Sequence, residues 1–552
     1  MSNLTTTRDK RVVWIETAQF PHDYISPPNI YTGVNMVRAG NVMAGVLARY
    51  GYDTTVISGE QTPLIPEQIA QISHTVCISV LSNSAPYGLL LASQLRALGC
   101  TVIMGGFHFA HLKMNEETLA STTAALNHCD YVIRGEGYES LPELLEALQD
   151  GGPLNDIGGL SWRNRTGDIQ HNKTRKTQQQ LCELPLADWT SLVDRDKVRC
   201  IGIQGVQGCP RQCEWCAVWP RDGQGGAQKR LGVEQVIAEI RAAQAELPGA
   251  DHLFLTADNL VADVVWLTAL CHAMIEEGIK LPWTCQAETE VLAQNPDLVE
   301  IMAAAGCVRV CLGIESVSEA ALMTMSKQQN IEHTATAVAV AHRYGIAVHG
   351  MFIVGLNGDD ANAMRAALNW ARKHRLESIQ LLCLGDLPGS RLTEREHLHQ
   401  KAFRPFTGAL KQLNWLFLNG HYARLASDTL SLSEVQRASL DGMRQFYRLR
   451  RVVSGLLRPQ EYVYLAARRR GHGRWESLRQ MAWAQIVTTV MRWRGCSSMW
   501  AWGRHPLNQA YCDLLRALND DDEDAYGEAL ARLTAALPPG WVEQFEQLAP
   551  AS

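Results

Sequence analysis

The sequence predicts an α/β protein in which two domains of alternating strands and helices precede a mostly helical domain. Three observations predict this class. Short apolar, β-branched runs alternate with helical segments in the first part of the chain, the same alternation resumes near Cys200, and the pattern turns helical beyond about residue 400. With 552 residues, the chain has room for about three domains. We place them at 1–150, 196–400 and 401–552, with a connector at 151–195.

The first domain is predicted to be a doubly wound, Rossmann-like sheet, because short β-rich runs are separated by helices. Its strands are expected at Val12–Ile15, Thr54–Ile57, Thr75–Val80 and Thr101–Met104, and its helices at Val34–Tyr50 and Tyr87–Leu98. Ligands of such sheets bind beyond the carboxyl ends of the strands. The candidate binding residues at that edge are Ser82, Ser84, Gly105, Gly106, His108, Gly135 and Glu136.

The second domain is predicted to be a partial (β/α) barrel of six units, with active residues at the carboxyl ends of its strands. The strand candidates are Cys200–Gly205, His252–Thr256, Pro282–Gln286, Val308–Gly313, Ala347–Gly355 and Ser378–Cys383. Helices intervene between them. One helix carries a single apolar face made of Val233, Val236, Ile237, Ile240, Ala243 and Leu247.

Three closely spaced cysteines, Cys209, Cys213 and Cys216, carry most of the chemical information. Soft thiolate ligands suit iron–sulfur clusters, and three of them can hold three irons of a [4Fe–4S] cube. No fourth cysteine follows at short range, so the fourth iron is open to an outside ligand. The alternative is a loop of three buried structural cysteines.

Composition excludes several classes of protein. The formal net charge of −6 argues against a nucleic-acid partner. Residues 1–11 lack the apolar run of a secretory signal, and no apolar stretch is long enough to span a bilayer. Fifteen mostly scattered cysteines do not form a disulfide framework, which favours a reducing, cytoplasmic location.

The cysteine triad, with Trp215 before its last member, resembles the signature of the radical S-adenosylmethionine (SAM) superfamily, in which the open iron chelates SAM. Five further segments resemble that family in the same order: Thr256–Leu260, Trp283–Gln286, Val310–Ser316, Val348–Gly358 and Leu387–Ser390. The resemblance implies that Asp258, Gln286 and Glu315 contact SAM. Glu288 stands where the family usually has arginine.

The first domain resembles the cobalamin-binding domain that precedes many radical SAM domains. The matching segments are Ile78–Ser82, the Gly-Gly-x-His of residues 105–108, and Asp130–Glu136. The resemblance implies that this edge binds cobalamin, with Gly-Gly-x-His against the nucleotide tail. The Asp-x-His-x-x-Gly pattern that supplies a cobalt ligand elsewhere is missing, so no histidine is expected on cobalt. The alternative is a related domain that binds nothing.

These resemblances imply a cobalamin-dependent radical SAM methyltransferase. In such enzymes a reduced cluster cleaves SAM to a 5′-deoxyadenosyl radical, and methylcobalamin donates a methyl group to carbon or phosphorus. The substrate is expected to be a small-molecule or peptide natural product, and the electron to come from an external reductant of the flavodoxin or ferredoxin type. The alternatives are a non-methylating oxidative cyclase or ring-rearranging enzyme of tetrapyrrole or antibiotic biosynthesis, and a sensor that has lost catalysis. No residue that contacts substrate is predicted.

The third domain is rich in tryptophan and arginine but has no Cys-x-x-Cys pair, which argues against an auxiliary cluster. Five tryptophans lie between Trp475 and Trp502. The arginines are Arg448, Arg450, Arg451, Arg468, Arg469, Arg470 and Arg474. They fit either a clamp for a carboxylate or phosphate or a solvated helix face. The tryptophans fit a substrate wall or a helical core, and a helix at 476–502 could also lie on a membrane surface.

Overall fold

The computed structural model of the protein describes residues 9–24, 39–110, 116–174, 181–218, 228–325, 327, 329–394, 402–456 and 459–548. These residues form a seven-stranded sheet, a six-stranded sheet, a two-stranded hairpin and a helical C-terminal region. The predicted α/β class is therefore confirmed.

The strands and helices follow each other along the chain as the alternating pattern predicts. The strands are β1 Arg11–Glu16, β2 Asp53–Ser58, β3 Thr75–Ser79, β4 Thr101–Gly105, β5 Tyr131–Ile133, β6 Leu160–Arg163, β7 Ile169–His171, β8 Cys200–Ile203, β9 Val206–Gln207, β10 Lys229–Arg230, β11 His252–Leu255, β12 Trp283–Ala287, β13 Cys307–Glu315, β14 Ala347–Val354 and β15 Ser378–Cys383. The helices of the first two domains are α1 Ala39–Ala48, α2 Pro66–Ile72, α3 Ala85–Ala97, α4 Glu116–Ala125, α5 Gly137–Asp150, α6 Val233–Glu246, α7 Val264–Glu276, α8 Thr289–Gln294, α9 Pro296–Ala304, α10 Glu319–Thr324, α11 Ile331–Arg343, α12 Ala363–Lys373 and α13 Arg391–Glu394.

The N-terminal sheet has the strand order β2-β1-β3-β4-β5-β6-β7. Strands β1 to β5 are parallel, and β6 and β7 extend the sheet antiparallel. The last two strands come from within the predicted connector. Val13, Val76 and Val102 are buried on one face of the sheet, and Val12, Cys77 and Ile103 are buried on the other, so both faces of the central strands are covered as a doubly wound sheet requires. Residues 34–38 of the predicted first helix lie outside the described residues.

The second sheet has the order β15-β14-β13-β12-β11-β8, and all of its pairings are parallel. It is an open barrel of six strands, as predicted. Helix α6 buries Val236, Ile240 and Ala243 from its predicted apolar face. After β8 the chain forms the antiparallel hairpin β9–β10, which rises from the carboxyl end of the barrel.

The C-terminal region begins with the 3-10 helix Gly408–Phe417. Its α-helices are α14 Leu432–Phe446, α15 Leu449–Leu456, α16 Glu461–Arg469, α17 Arg474–Trp502, α18 Pro506–Asn519, α19 Glu523–Ala535 and α20 Trp541–Gln547. The region packs on both sheets. Gln19 donates a hydrogen bond to the Leu416 carbonyl at 2.9 Å, and Ser439 of α14 donates one to the Leu381 carbonyl of β15 at 2.8 Å. Within the described ranges, no helix combines the length and apolarity needed to cross a membrane.

Candidate active site

The loop that carries the three cysteines, residues 208–216, begins directly after β9 and is fixed at its first residue. Gly208 has φ +87, a conformation that favours glycine. Its N–H donates to Asp258 Oδ2 at 2.9 Å, and its carbonyl accepts from Gln228 Nε2 at 3.2 Å. Asp258 follows β11, so the end of one barrel strand holds the start of the loop that follows another. Contact of Asp258 with SAM stays a prediction.

The three thiols are partly buried in one loop. Burial raises the pKa of Cys213 to about 11, although the Lys327 ammonium acts in the opposite direction. Burial also raises the pKa of Cys216 to about 12, with a further contribution from Cys213 and Cys209. Because thiols bind metal as thiolates, loading iron here must release protons.

The chemistry of the donor atoms bears on which metal group the loop could hold. No three His, Cys, Asp or Glu side chains among the described residues converge closely enough to hold a single metal ion. A cube takes one cysteine per iron, so its ligands surround the cluster instead of meeting at a point. The soft donor set of Cys209, Cys213 and Cys216 therefore fits a [4Fe–4S] cluster.

One ion pair and one hydrogen bond hold the middle of the cysteine loop. Arg211 Nε lies 2.6 Å from Glu288 Oε2, at the residue where the related family usually has arginine. Arg391 of α13 donates to Gln212 Oε1 at 2.7 Å. Glu288 thus serves as the partner of an arginine that the loop itself supplies.

A buried ion pair lies beside the loop at the end of β13. Lys327 Nζ is 2.6 Å from Glu315 Oε1, and their side chains are 16% and 13% exposed. The ammonium also donates to the Gly313 carbonyl at 3.0 Å and lies 5.8 Å from the centre of the Trp215 ring. Glu315 has φ +60, which is uncommon for a residue with a side chain. The strained backbone turns this predicted SAM contact toward Lys327 and the cysteine loop.

An apolar cluster borders the same loop. Trp215 and Ile353 pack against it, and its buried members are Ala321, Met325, Leu356, Leu384, Leu392, Ala402 and Leu425. Gln286 lies in β12 and is half-buried, in register with Cys311 of β13. The described barrel residues therefore bring together apolar surface, a buried ion pair and the three thiols, while Gln286 lies one strand away.

The predicted binding residues of the N-terminal sheet meet at the ends of β3 and β4. Ser82 Oγ is 3.1 Å from His108 Nδ1. The Ser84 hydroxyl oxygen accepts from the Leu81 N–H and from Thr17 Oγ1 at 3.0 and 2.9 Å. The structure therefore joins these predicted residues in one cluster, with Ser84 bonded within its own domain.

Glycines shape the same edge. Gly106 has φ +96, and a Cβ there would lie 2.6 Å from the Val80 nitrogen. The Gly105 carbonyl accepts a hydrogen bond from the Val80 N–H at 3.1 Å, and the Gly135 N–H donates one to the Phe109 carbonyl at 3.3 Å. These glycines are needed for close approach of the backbone between neighbouring strand ends.

Glu136 joins the N-terminal sheet to the barrel. Its Oε1 accepts from Gln207 Nε2 at 2.8 Å, and its Oε2 is 3.1 Å from Lys229 Nζ. Gln207 and Lys229 belong to β9 and β10, the two strands of the hairpin between which the cysteine loop lies. The carboxyl edges of both sheets are thus held next to each other, and a role of Glu136 in cofactor binding stays a prediction.

The outer part of the N-terminal edge combines covered and exposed surface. His108 is buried, and its ring lies 4.4 Å from that of Trp415 in the 3-10 helix of the C-terminal region. Leu81 and Phe107, by contrast, are 55% and 43% exposed. Exposed large apolar side chains beside glycine turns fit a bulky, partly apolar ligand such as a corrin ring.

Sequence reasoning missed Lys327, Arg211 and the pairing of Glu136 with Lys229. Their partners lie 12, 77 and 93 residues away along the chain. No local pattern signals such contacts. The one local signal was Glu288, for the contact with Arg211. An acid at a position where the family usually has arginine requires a basic partner elsewhere in the chain.

The family and relatives of the chain agree with this site. Residues 203–371 match the family model of the Radical SAM superfamily. The chain is 28% identical over 360 residues to an uncharacterised methyltransferase of Pyrococcus horikoshii, covering 63% of this chain and 76% of the relative. It is 23% identical over 360 residues to the bacteriochlorophyllide d C-12(1)-methyltransferase of Chlorobaculum tepidum, covering 63% and 71%. A third relative, at 23% over 325 residues and covering 55% and 61%, is the anaerobic magnesium-protoporphyrin IX monomethyl ester cyclase of Synechocystis.

Two solved structures are similar in fold to this chain. The cobalamin-dependent SAM radical enzyme OxsB superposes with a TM-score of 0.59 at 13% identity, covering 96% of this chain and 84% of that one. The radical SAM methyltransferase TsrM of Kitasatospora setae, solved with cobalamin and a [4Fe–4S] cluster, gives 0.55 at 16% identity, covering 72% and 76%. The chain therefore contains a radical SAM domain at residues 203–371. Its fold is that of the cobalamin-dependent, methylase-type members of the superfamily.

Proposed function

We propose that this protein is a cobalamin-dependent radical SAM methyltransferase that acts on an unactivated carbon or phosphorus centre of a small-molecule or peptide natural product. One observation carries the proposal. Glu136 bonds the carboxyl edge of the N-terminal sheet to the hairpin β9–β10, whose two strands flank the cysteine loop. A cofactor on that edge would therefore face a cluster in the loop.

Each part of the site has a role in this proposal. Cys209, Cys213 and Cys216 would hold the [4Fe–4S] cluster, and Ser82, Gly106 and His108, together with Gly105, Ser84 and Gly135, would hold cobalamin. When bound, the cluster and SAM supply a 5′-deoxyadenosyl radical, and methylcobalamin supplies the methyl group. An external one-electron donor of the flavodoxin or ferredoxin type would reduce the cluster.

The remaining side chains would bind SAM and exclude water. Lys327 offers a largely buried cation to the SAM carboxylate, and Glu315 and Asp258 offer acceptors to its amino group and ribose hydroxyls. Gln286 would contribute a further polar contact from β12. The apolar cluster around Trp215 would cover the adenine and keep water from the reacting atoms.

The proposal is tested by anaerobic reconstitution of the full chain. We expect iron–sulfur absorption, stoichiometric cobalamin, and 5′-deoxyadenosine with S-adenosylhomocysteine after addition of SAM and dithionite. Cys213→Ala should lose the cluster absorption and both products but retain cobalamin, because the two sites lie on different sheets. Cys182→Ala, at an exposed cysteine outside the loop, is the matched control and should retain everything. Absence of both products from the loaded wild-type enzyme would overturn the proposal.

A non-methylating cyclase is the second candidate, and the similarity to the Synechocystis cyclase favours it. Its cofactors and site would be the same, so the product distinguishes the two. With methyl-labelled SAM, a methyltransferase transfers the label to its product, whereas a cyclase forms 5′-deoxyadenosine and leaves the product unlabelled.

A further inference from the structure

Helix α17 presents an exposed apolar face to solvent. Trp483, Ile486, Val490, Trp493 and Trp500 are 67%, 53%, 46%, 53% and 64% exposed. Their spacing of three, four, three and seven residues places them on one side of the helix. At 1.5 Å per residue, this α17 apolar face is about 25 Å long.

The opposite side of α17 is the one that packs on the protein. Thr488, Gly495, Met499 and Trp502 are buried there, and Gln460 donates to Thr488 Oγ1 at 2.7 Å. Helix α17 is therefore packed on the protein through one side, and the apolar residues of its other side are exposed. Neighbouring helices add exposed apolar residues of their own, namely Leu449, Val453 and Leu465.

The surroundings of the α17 apolar face are strongly basic. Residues 444–504 contain thirteen arginines, no lysine and only two acidic residues, in a chain whose net charge is −6. The exposed arginines of this segment are Arg444, Arg448, Arg450, Arg468, Arg469, Arg470, Arg474, Arg479, Arg494 and Arg504. Arg479 and Arg504 flank the face at its two ends, and the Arg504 guanidinium lies 3.6 Å from the centre of the Trp500 ring.

We infer that the α17 apolar face docks on a membrane surface that contains anionic lipids. Tryptophan prefers the boundary between headgroups and hydrocarbon, and clustered arginines are attracted to anionic headgroups. A helix with both features lies in the plane of the interface with its apolar face buried. The basic segment stands out from an otherwise acidic chain, so attraction to an anionic surface would orient the molecule with this face toward the lipid.

Other occupants fit less well. A second copy of the chain would bring two arginine-rich surfaces together, which like-charge repulsion opposes. A nucleic acid would pair with the arginines but leave Ile486 and Val490 exposed. The inference is independent of the proposed function, because it concerns the outer surface of the C-terminal helices rather than the site of the cysteines.

The test is flotation of the full chain with lipid vesicles. We expect binding to phosphatidylcholine vesicles with about 30% phosphatidylglycerol, little binding to pure phosphatidylcholine, and release near 1 M KCl, since salt screens exposed charges. Trp483→Ser/Trp493→Ser should bind at least about tenfold more weakly, because it removes the two central anchors. Val265→Ser, which removes an exposed apolar side chain of the barrel helix α7, should bind like wild type.

The folded state of each variant is checked by circular dichroism, and no loss is expected because both tryptophans are exposed. The inference is overturned if wild type does not float with anionic vesicles, or if the double variant floats as well as wild type. It is also overturned if light scattering shows a dimer that the double substitution dissociates, or if RNA binding is lost with the double substitution while vesicle binding is not.

Discussion

Substitution of Glu136 by glutamine tests whether the contact between the two sheets holds the cysteine loop in place. The change keeps the shape of the side chain and an acceptor for Gln207, but leaves the Lys229 ammonium without its counter-charge. Lys229 is 6% exposed and Glu136 is 18% exposed. The substitution therefore leaves a nearly buried cation without a counter-charge at the hairpin β9–β10.

The magnitude follows from the geometry of the pair. At 3.1 Å the gross attraction is about 5 kcal/mol for an effective dielectric constant of about 20. Loss of one partner of a buried pair costs about 3–5 kcal/mol. Because Glu136 keeps some solvent contact and one hydrogen bond survives, we expect about 3 kcal/mol. This loss corresponds to roughly 100-fold more frequent opening of the hairpin.

Hydrogen exchange followed by mass spectrometry measures that opening directly. The Leu231 N–H, bonded to the Gly205 carbonyl at 3.0 Å, reports on the hairpin. Its exchange should accelerate roughly 100-fold in Glu136→Gln. The same substitution in a Lys229→Met background should have little effect, because no buried cation remains. Glu277→Gln, which breaks an exposed pair with Arg241, is the control and should leave Leu231 unchanged. An unchanged Leu231 rate in Glu136→Gln would refute the reasoning.

Two further predictions concern stability. Gly106→Ala should destabilise the N-terminal sheet by about 3 kcal/mol or more, because φ is +96 and the new Cβ would lie 2.6 Å from the Val80 nitrogen. Gly99→Ala is the control and should cost about 1 kcal/mol, because φ is +82 but the space around the new Cβ is open. Equal thermal midpoints for the two variants would contradict this prediction. Burial raises the pKa of Glu239 to about 7. The folded protein therefore binds an extra proton between pH 4.5 and 7, and this contribution to stability is lost as pH rises through 7. Glu239→Gln, which keeps the bond from the Ala187 N–H, should stabilise the protein at pH 8 relative to wild type and be nearly neutral at pH 5; thermal unfolding at both pH values would detect the opposite trend.

The regular elements of the fold could be predicted from the sequence because they depend on local patterns. The predicted strand Ser378–Cys383 has the observed bounds, and the other predicted barrel strands differ from the observed ones by at most two residues at either end. The cysteine triad was equally local. Each of these features depends on residues that are close together in the sequence, so periodicity and spacing were sufficient to predict it.

The contacts that assemble the site could not be predicted in the same way. Glu136 was expected to bind cofactor, yet its carboxylate also joins two domains through residues 71 and 93 positions away. Glu315 combines a positive φ, at an irregularity in the pairing of β13 with β14, with an ion pair to Lys327, and neither feature follows a local sequence pattern. Trp415 lies against His108 from a 3-10 helix that is about 300 residues further along the chain, a contact that no local pattern signals.

The contact of Trp415 with His108 also has a consequence for synthesis of the chain. About 300 residues separate the two rings, so Trp415 emerges from the ribosome long after the sheet that carries His108. At about 5–20 residues per second, the nascent N-terminal sheet spends roughly 15 to 60 s with its His108 edge uncovered. A cofactor that is present during translation therefore meets an open edge. One that arrives later meets an edge at which Trp415 already lies against His108.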